Sequence, residues 1–143
     1  MSPTPRADFY VISKDRFKQE PLLLVCELAR KANSAGLWTL IRARDAEQAE
    51  ALDDLLWSFD PDAYIPHQIV SDEQDDLTPV LIAAPEHDTP LRPVVINLRD
   101  DAVAGSFERV LEVVPDDESA REPLRARWRD YKARGMALQK FDM

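Results

Sequence analysis

Short β-branched or aromatic runs alternate with helical patterns along the first half of the chain, and this alternation limits the fold most. Residues 7–12 and 37–43 have the composition of buried strands. Between them, residues 20–36 carry apolar side chains at helical spacing. Asp45, with Gln48 three residues later, resembles a capping box that opens a second helix. The order strand, helix, strand, helix predicts helices packed on both faces of a sheet.

The second half of the chain predicts more strands and one more helix. Further strands are expected at 63–67, 79–84, 93–98 and 109–114. The proline-bounded loop 85–93 is too short for a crossover helix, so we expect at least one antiparallel pairing. Pro115 ends the last strand, and a final helix of about 15 residues follows, with Pro123 in its first turn.

We therefore predict a three-layer α/β/α fold with a mixed, mostly parallel sheet, in one domain spanning residues 1–143. No apolar run reaches the roughly 20 residues of a membrane helix, and residues 1–10 lack the features of a secretory signal. The single cysteine, Cys26, lies in an apolar run and indicates a small core residue in a reducing cytoplasm. The acidic loop 71–76 has no role that the sequence reveals.

The motifs of nucleotide and metal enzymes are missing. The chain has 3 glycines, and none belongs to a phosphate-binding loop. The 2 histidines, His67 and His87, stand far apart with no second cysteine near them, which is a poor set of zinc ligands. The sequence therefore predicts neither a cofactor nor a metal.

Residues 121–140 have a charge opposite to that of the rest of the chain. They contain 7 basic and 2 acidic residues. Subtracting these from the totals of 18 and 27 leaves 11 basic and 25 acidic residues, so a body of net charge −14 carries a segment of +5. An acidic body is repelled by nucleic acid and by anionic membranes, so only this segment is suited to an anionic partner.

On a helix, this segment presents a cationic stripe with an aromatic residue in it. With Arg121 at zero, Arg125, Trp128 and Lys132 fall at about 40°, −20° and 20°. Leu124 lies beside the stripe and is expected to anchor the helix to the sheet. The stripe suits either single-stranded nucleic acid, whose bases stack on an indole, or an acidic peptide with an apolar end. The acidic body favours the peptide, although an ordinary solvated helix face is the plain alternative.

Several stretches resemble one known family over nearly the whole chain. They are "FYVI", "LVCELA", "ALDDLLWSFDPDAYIPH" and "EVVPDDES…ARWRDYKARGMALQ". The chain resembles the chi subunit of bacterial DNA polymerase III. The resemblance implies a non-catalytic adaptor of the clamp-loader assembly, with a fold similar to that of nucleotide-binding proteins but without their phosphate loop. It implies two partners, the psi subunit and the acidic C-terminal tail of single-stranded DNA-binding protein, so the adaptor reaches DNA only indirectly.

By this resemblance, the tail-binding positions fall on Arg121, Arg125 and Trp128, with Val114 as an apolar wall. Lys132 shares the same stripe. Arg121 stands where the family commonly has lysine and Trp128 where it commonly has tyrosine, and both replacements keep the chemistry. Pro123 is a third departure, which can shift the start of the helix.

The psi-binding surface is expected to centre on Tyr64, with Trp57 and Pro66 near it. Phenylalanine is the family's usual residue at the position of Tyr64. In some bacteria a repair helicase uses the same surface, so either partner fits. A core position is an equally good interpretation of Trp57. Two other functions stay open: direct binding of single-stranded nucleic acid by the same stripe, and an enzyme of unrecognised type.

Overall fold

The computed structural model describes residues 4–60, 62–71, 77–87 and 89–143. Most of the predicted acidic loop, residues 72–76, lies outside this part of the chain.

The described residues form one seven-stranded sheet in the order β3-β4-β2-β5-β6-β1-β7. The strands are β1 (Arg6–Val11), β2 (Thr39–Arg42), β3 (His67–Ile69), β4 (Val80–Ala83), β5 (Val94–Asn97), β6 (Arg109–Val114) and β7 (Ala137–Asp142). Every pairing between them is parallel. The predicted α/β fold is confirmed.

The expectation of an antiparallel pairing is wrong. Strands β4 and β5 both pair with β2, one on each side, so the chain between them crosses over β2 without a helix. Leu91 in this connection packs against apolar residues of the sheet, and this contact holds the irregular segment on that face. A parallel crossover therefore does not require a helix. A packed loop that is long enough to cross β2 is sufficient.

In the described part of the chain, four α-helices accompany the sheet. They are α1 (Asp15–Gln19), α2 (Pro21–Ser34), α3 (Ala46–Ser58) and α4 (Arg121–Ala133), and a 3₁₀ turn (Glu118–Ala120) precedes the last. The helix cap at Asp45 is confirmed, because Asp45 Oδ1 accepts a hydrogen bond from the Gln48 amide at 2.7 Å. The Gln48 side chain accepts its hydrogen bond from the Arg44 amide, one residue before the position that a capping box uses. Gly36 ends α2 with φ of 73°, in the left-handed region that glycine adopts without strain.

Helices α2 and α3 pack on one face of the sheet, and α4 packs on the other. Leu24, Leu28 and Leu52 belong to the larger core on the first face. Tyr131 of α4 is buried against Phe9 of β1 and other residues of the second face. Among the described residues, no helix has the length and apolar character needed to cross a membrane.

Three local predictions differ from the structure. The strand expected at 63–67 begins only at His67, because Ala63 to Pro66 form a loop that leads into β3. The short helix α1 was not predicted. Residues 109–114 form a strand as expected but not the last one, since β7 follows α4 and pairs with β1 at the sheet edge.

Candidate functional site

Helix α4 returns across the sheet from the carboxyl end of β6. Val114 is the last residue of β6, and its register partner Val11 is the last residue of β1. Asp117 then caps the 3₁₀ turn by accepting a hydrogen bond from the Ser119 amide at 3.0 Å. Pro123 is the third residue of α4, where its missing amide proton costs no helical hydrogen bond. The first half of α4 therefore lies at the carboxyl edge of the sheet.

The inner side of α4 contains a buried charged network that sequence reasoning missed. Arg127 Nε lies 2.9 Å from Glu112 Oε1, and both side chains are almost fully buried. Tyr131 donates its hydroxyl proton to Glu112 Oε2 at 2.6 Å, and Asn97 donates to both carboxylate oxygens. Arg127 also donates to the Asp100 carbonyl at 3.0 Å. This network fixes the rotation of α4 on the sheet.

Desolvation raises the pKa of Glu112, and the opposing effects of Arg127, Tyr131 and Asn97 only partly offset it. Desolvation also raises the pKa of Tyr131, and the neighbouring carboxylate adds to the rise. Every neighbour that contacts the Glu112 oxygens is a hydrogen-bond donor or a cation, so the carboxylate is satisfied in its charged form. The network stabilises one arrangement of α4 on the sheet.

The outer side of α4 forms one wall of an open cavity of about 490 Å³, which we call the α4 groove. Its lining residues are Val11, Val114, Pro115, Asp116, Asp117, Arg121, Leu124, Arg125, Trp128 and Lys140. The structure thus brings together four of the five residues predicted for tail binding. The groove also lies at the carboxyl edge of a parallel sheet, where ligands of α/β proteins commonly bind.

The floor of the α4 groove is apolar and held in place. The Trp128 ring lies 5.1 Å from the buried Phe9 ring, at an angle of 51°. Leu124 packs against the same core cluster, as predicted for the helix anchor. Val114 is 3% exposed and closes the floor at the end of β6. A ligand side chain would therefore meet a preformed apolar surface.

The cations on the rim of the groove have few partners. Arg125 lies 3.8 Å from Glu122, and both side chains are more than 60% exposed, so this contact is weak. Within the described part of the chain, Arg121 has no ion pair. The groove also contains two carboxylates. Asp116 pairs with Lys18 of α1 at 3.2 Å, and Asp117 is the cap described above.

Lys132, the fifth predicted residue, is exposed but does not line the groove. Its angle on the helix matches that of Arg121, yet eleven residues of helical rise place it about 16 Å further along the axis. The third lining cation is instead Lys140, which comes from β7.

The residues predicted for psi binding lie on a second surface, which we call the aromatic patch: Trp57, Tyr64 and Pro66. Trp57 is 57% exposed and Tyr64 is 74% exposed, so the core interpretation of Trp57 is wrong. Their rings lie 6.3 Å apart, and Trp57 also packs on the His67 ring at 4.7 Å. Pro66 is half-buried beside them. Such exposure of two large aromatic side chains is typical of protein contact surfaces.

The remaining groups that could take part in chemistry are the potential metal ligands and the cysteine. Within residues 4–60, 62–71, 77–87 and 89–143, no group of three or more histidine, cysteine or acidic side chains could hold a metal ion. Cys26 is fully buried, and burial raises the pKa of its thiol to about 12. Its thiolate is therefore scarce near neutral pH, as for a core cysteine.

Fold and site together define an α/β domain whose prominent cavity is cationic and apolar rather than a glycine-rich phosphate loop. Solved structures share this fold. The C-terminal domain of the DEAD-box protein Dbp5 aligns with 97% of the chain and 91% of its own length, at a TM-score of 0.67 and 14% identity. T4 UvsW aligns with 97% of the chain and 41% of its own length, at a TM-score of 0.62 and 12% identity.

Sequence comparison identifies the family. The family described as "DNA polymerase III chi subunit, HolC" matches residues 4–139. The DNA polymerase III subunit chi of Pseudomonas aeruginosa is 36% identical over 137 residues, 94% of both chains. The subunit of the same name in Escherichia coli is 31% identical over 118 residues, 80% of both chains. The chain belongs to the chi subunit family of DNA polymerase III, a family of replication accessory subunits.

Proposed function

We propose that this chain is a non-catalytic adaptor that connects the clamp-loader complex to DNA coated with single-stranded DNA-binding protein. The α4 groove binds the acidic C-terminal tail of that protein. The observation that supports this best is that Arg121, Arg125, Trp128 and Val114 line one cavity. An acidic peptide with an apolar end needs cations beside an apolar floor, and the groove has both.

The chemistry of the rim suits carboxylates. A guanidinium group is planar and can donate two parallel hydrogen bonds to one carboxylate, including the one that ends a chain. Arg121 and Arg125 are exposed and available for such contacts. The terminal apolar side chain packs on Trp128 and Val114. Because the cations are exposed to solvent, we expect micromolar affinity, roughly −8 kcal/mol, that decreases as salt is added.

Calorimetry with a synthetic tail peptide tests the proposal. The parent protein should bind the full peptide with micromolar affinity. The same peptide without its last residue should bind at least tenfold more weakly, because it leaves the apolar floor empty. An amidated peptide tests the contribution of the terminal carboxylate separately. If the truncated peptide binds as well as the full peptide, the groove does not recognise the end of the tail.

The aromatic patch is proposed to bind the second partner, the psi subunit or, in its place, a repair helicase. Exposed Trp57 and Tyr64 supply a rigid apolar surface, and truncating an interface aromatic typically costs about 2 kcal/mol or more. Tyr64→Ala should therefore weaken capture of a purified partner without changing tail-peptide affinity. Tyr64→Phe is the matched control and should bind normally. If Tyr64→Ala captures both partners normally, the patch is not their site.

Direct binding of single-stranded nucleic acid is a second candidate, favoured by the placement of Trp128 between exposed cations. This function predicts that the logarithm of the binding constant falls linearly with the logarithm of the salt concentration, with a slope of roughly −0.7 for each phosphate contacted. A net charge of −9 opposes this function. Fluorescence anisotropy with labelled single strands at physiological salt distinguishes the two, since the adaptor should leave the anisotropy unchanged.

A further inference from the structure

Strand β7 brings a third cation to the α4 groove from outside helix α4. Lys140 lines the groove together with Arg121 and Arg125. It is exposed, and among the residues that the structure describes it has no carboxylate within ion-pair distance.

The register of the sheet supports this placement independently. β7 pairs with β1 in parallel, and Lys140 lies directly beside Phe9. Partner residues of neighbouring parallel strands point to the same face. The Phe9 ring contacts Trp128 at 5.1 Å, so Lys140 lies on the face that carries the groove floor.

Lys140 contributes a large share of the attraction of the groove for anions. The lining contains three cations and two carboxylates, Asp116 and Asp117. Removing Lys140 leaves two of each, and the lining is then neutral. Lys140 also stands on the strand wall, opposite α4, so it can hold a second carboxylate while the arginines hold the first.

We propose that Lys140 is a binding and specificity residue of the peptide site, and that a bound acidic peptide lies between α4 and β7, with carboxylates contacting both walls. This inference rests on the proposed binding of an acidic tail in the same groove. It assigns to β7 a functional part that goes beyond completing the sheet.

The experiment compares two lysines that differ in position and not in chemistry. Lys140→Ala and Lys132→Ala each remove one exposed cation, but only Lys140 lines the groove. Calorimetry with the synthetic tail peptide should show about five- to tenfold weaker binding for Lys140→Ala. Lys132→Ala should change the affinity by less than about twofold. Lys140→Arg should restore it, and thermal melting should show that all three variants fold.

The outcomes separate this inference from the proposed function. If the parent, Lys140→Ala and Lys132→Ala all bind the peptide with the same affinity, β7 has no part in recognition. The inference is then wrong, while tail binding stands. If Lys140→Arg binds as weakly as Lys140→Ala, the charge is not what matters, which also contradicts the inference. If the parent does not bind the peptide at all, both proposals are overturned.

Discussion

Arg125 and Arg127 are two residues apart on helix α4, yet they have opposite environments. The Arg125 side chain is 65% exposed on the rim of the α4 groove. The Arg127 side chain is 5% exposed and pairs with the buried Glu112. One residue type on one helix therefore faces solvent at one position and the core at the other, because residues two apart point about 200° away from each other.

The difference shows what holds the helix in the orientation that the proposed binding requires. The buried pair fixes how α4 sits on the sheet, and this orientation presents the exposed arginines and Trp128 to the groove. A buried ion pair is weak evidence for stability as such, but it can select one arrangement over others. Substitutions on the two sides of α4 should therefore separate into a folding class and a binding class.

The largest effect is expected for Arg127→Ala. This change leaves the Glu112 carboxylate buried without its cation, which should lower the free energy of unfolding by about 3 to 5 kcal/mol. Chemical denaturation measures it. Arg129→Ala is the matched control. Arg129 is 69% exposed and pairs with exposed Glu122, so its loss should change stability by less than about 0.5 kcal/mol.

The pH dependence of the same variant gives a second test. Burial already raises the pKa of Glu112, and removing Arg127 takes away the largest effect that opposes the rise. In the variant, Glu112 is neutral at low pH and becomes an uncompensated buried charge as the pH rises. The loss of stability caused by Arg127→Ala should therefore be smaller at pH 5 than at pH 8. An equal loss at both would mean that Glu112 is not what the arginine compensates.

Trp128→Ala should affect both properties, because Trp128 lies on the border between the two sides. Its ring packs on Phe9 and also forms the groove floor. The ring is only half-buried, so we expect a loss of about 1 to 2 kcal/mol in stability, less than the 3 to 5 typical of a buried aromatic. Tail-peptide affinity should fall about tenfold or more. Trp128→Tyr, which keeps an aromatic ring at this position, should largely preserve both.

The smallest effect is expected for Asp116→Asn. Asp116 lines the groove and opposes an acidic ligand, although its ion pair with Lys18 reduces that opposition. Neutralising it should strengthen tail-peptide binding by about twofold, in keeping with an exposed charge. Titration at low salt measures the gain. Weaker binding in this variant would show that Asp116 contacts the peptide favourably.

The sequence was sufficient for the parts of the fold that have strong local signals. The helix cap at Asp45 and the strand 109–114 were both predicted and are present. Strand β7 was missed because its residues are mostly exposed and their pattern is only weakly apolar. The edge of a sheet is decided by pairing with a distant strand, here β1, which no local pattern records.

The residues of the candidate site could also be predicted only in part from the sequence. Angular position on a helix can be calculated, so Arg121, Arg125 and Trp128 could be selected together before any coordinates. The extent of the groove along the helix and the return of β7 depend on tertiary structure. The sequence therefore predicted Lys132, which does not line the groove, and did not reveal Lys140, which does. The burial of Arg127 was not predicted, because a buried arginine needs a buried partner, and Glu112 lies in an apolar strand pattern that conceals it.

The affinity and stability of Arg125→Ala, measured on one preparation, test the central claim most directly. Calorimetry with the tail peptide should show binding weaker by about 1 to 3 kcal/mol, because a charge-assisted contact is lost. Chemical denaturation should show stability within about 0.5 kcal/mol of the parent, because the side chain is exposed. Unchanged peptide affinity in a folded Arg125→Ala protein would contradict the account, since the α4 groove would then be only a solvated face of the helix.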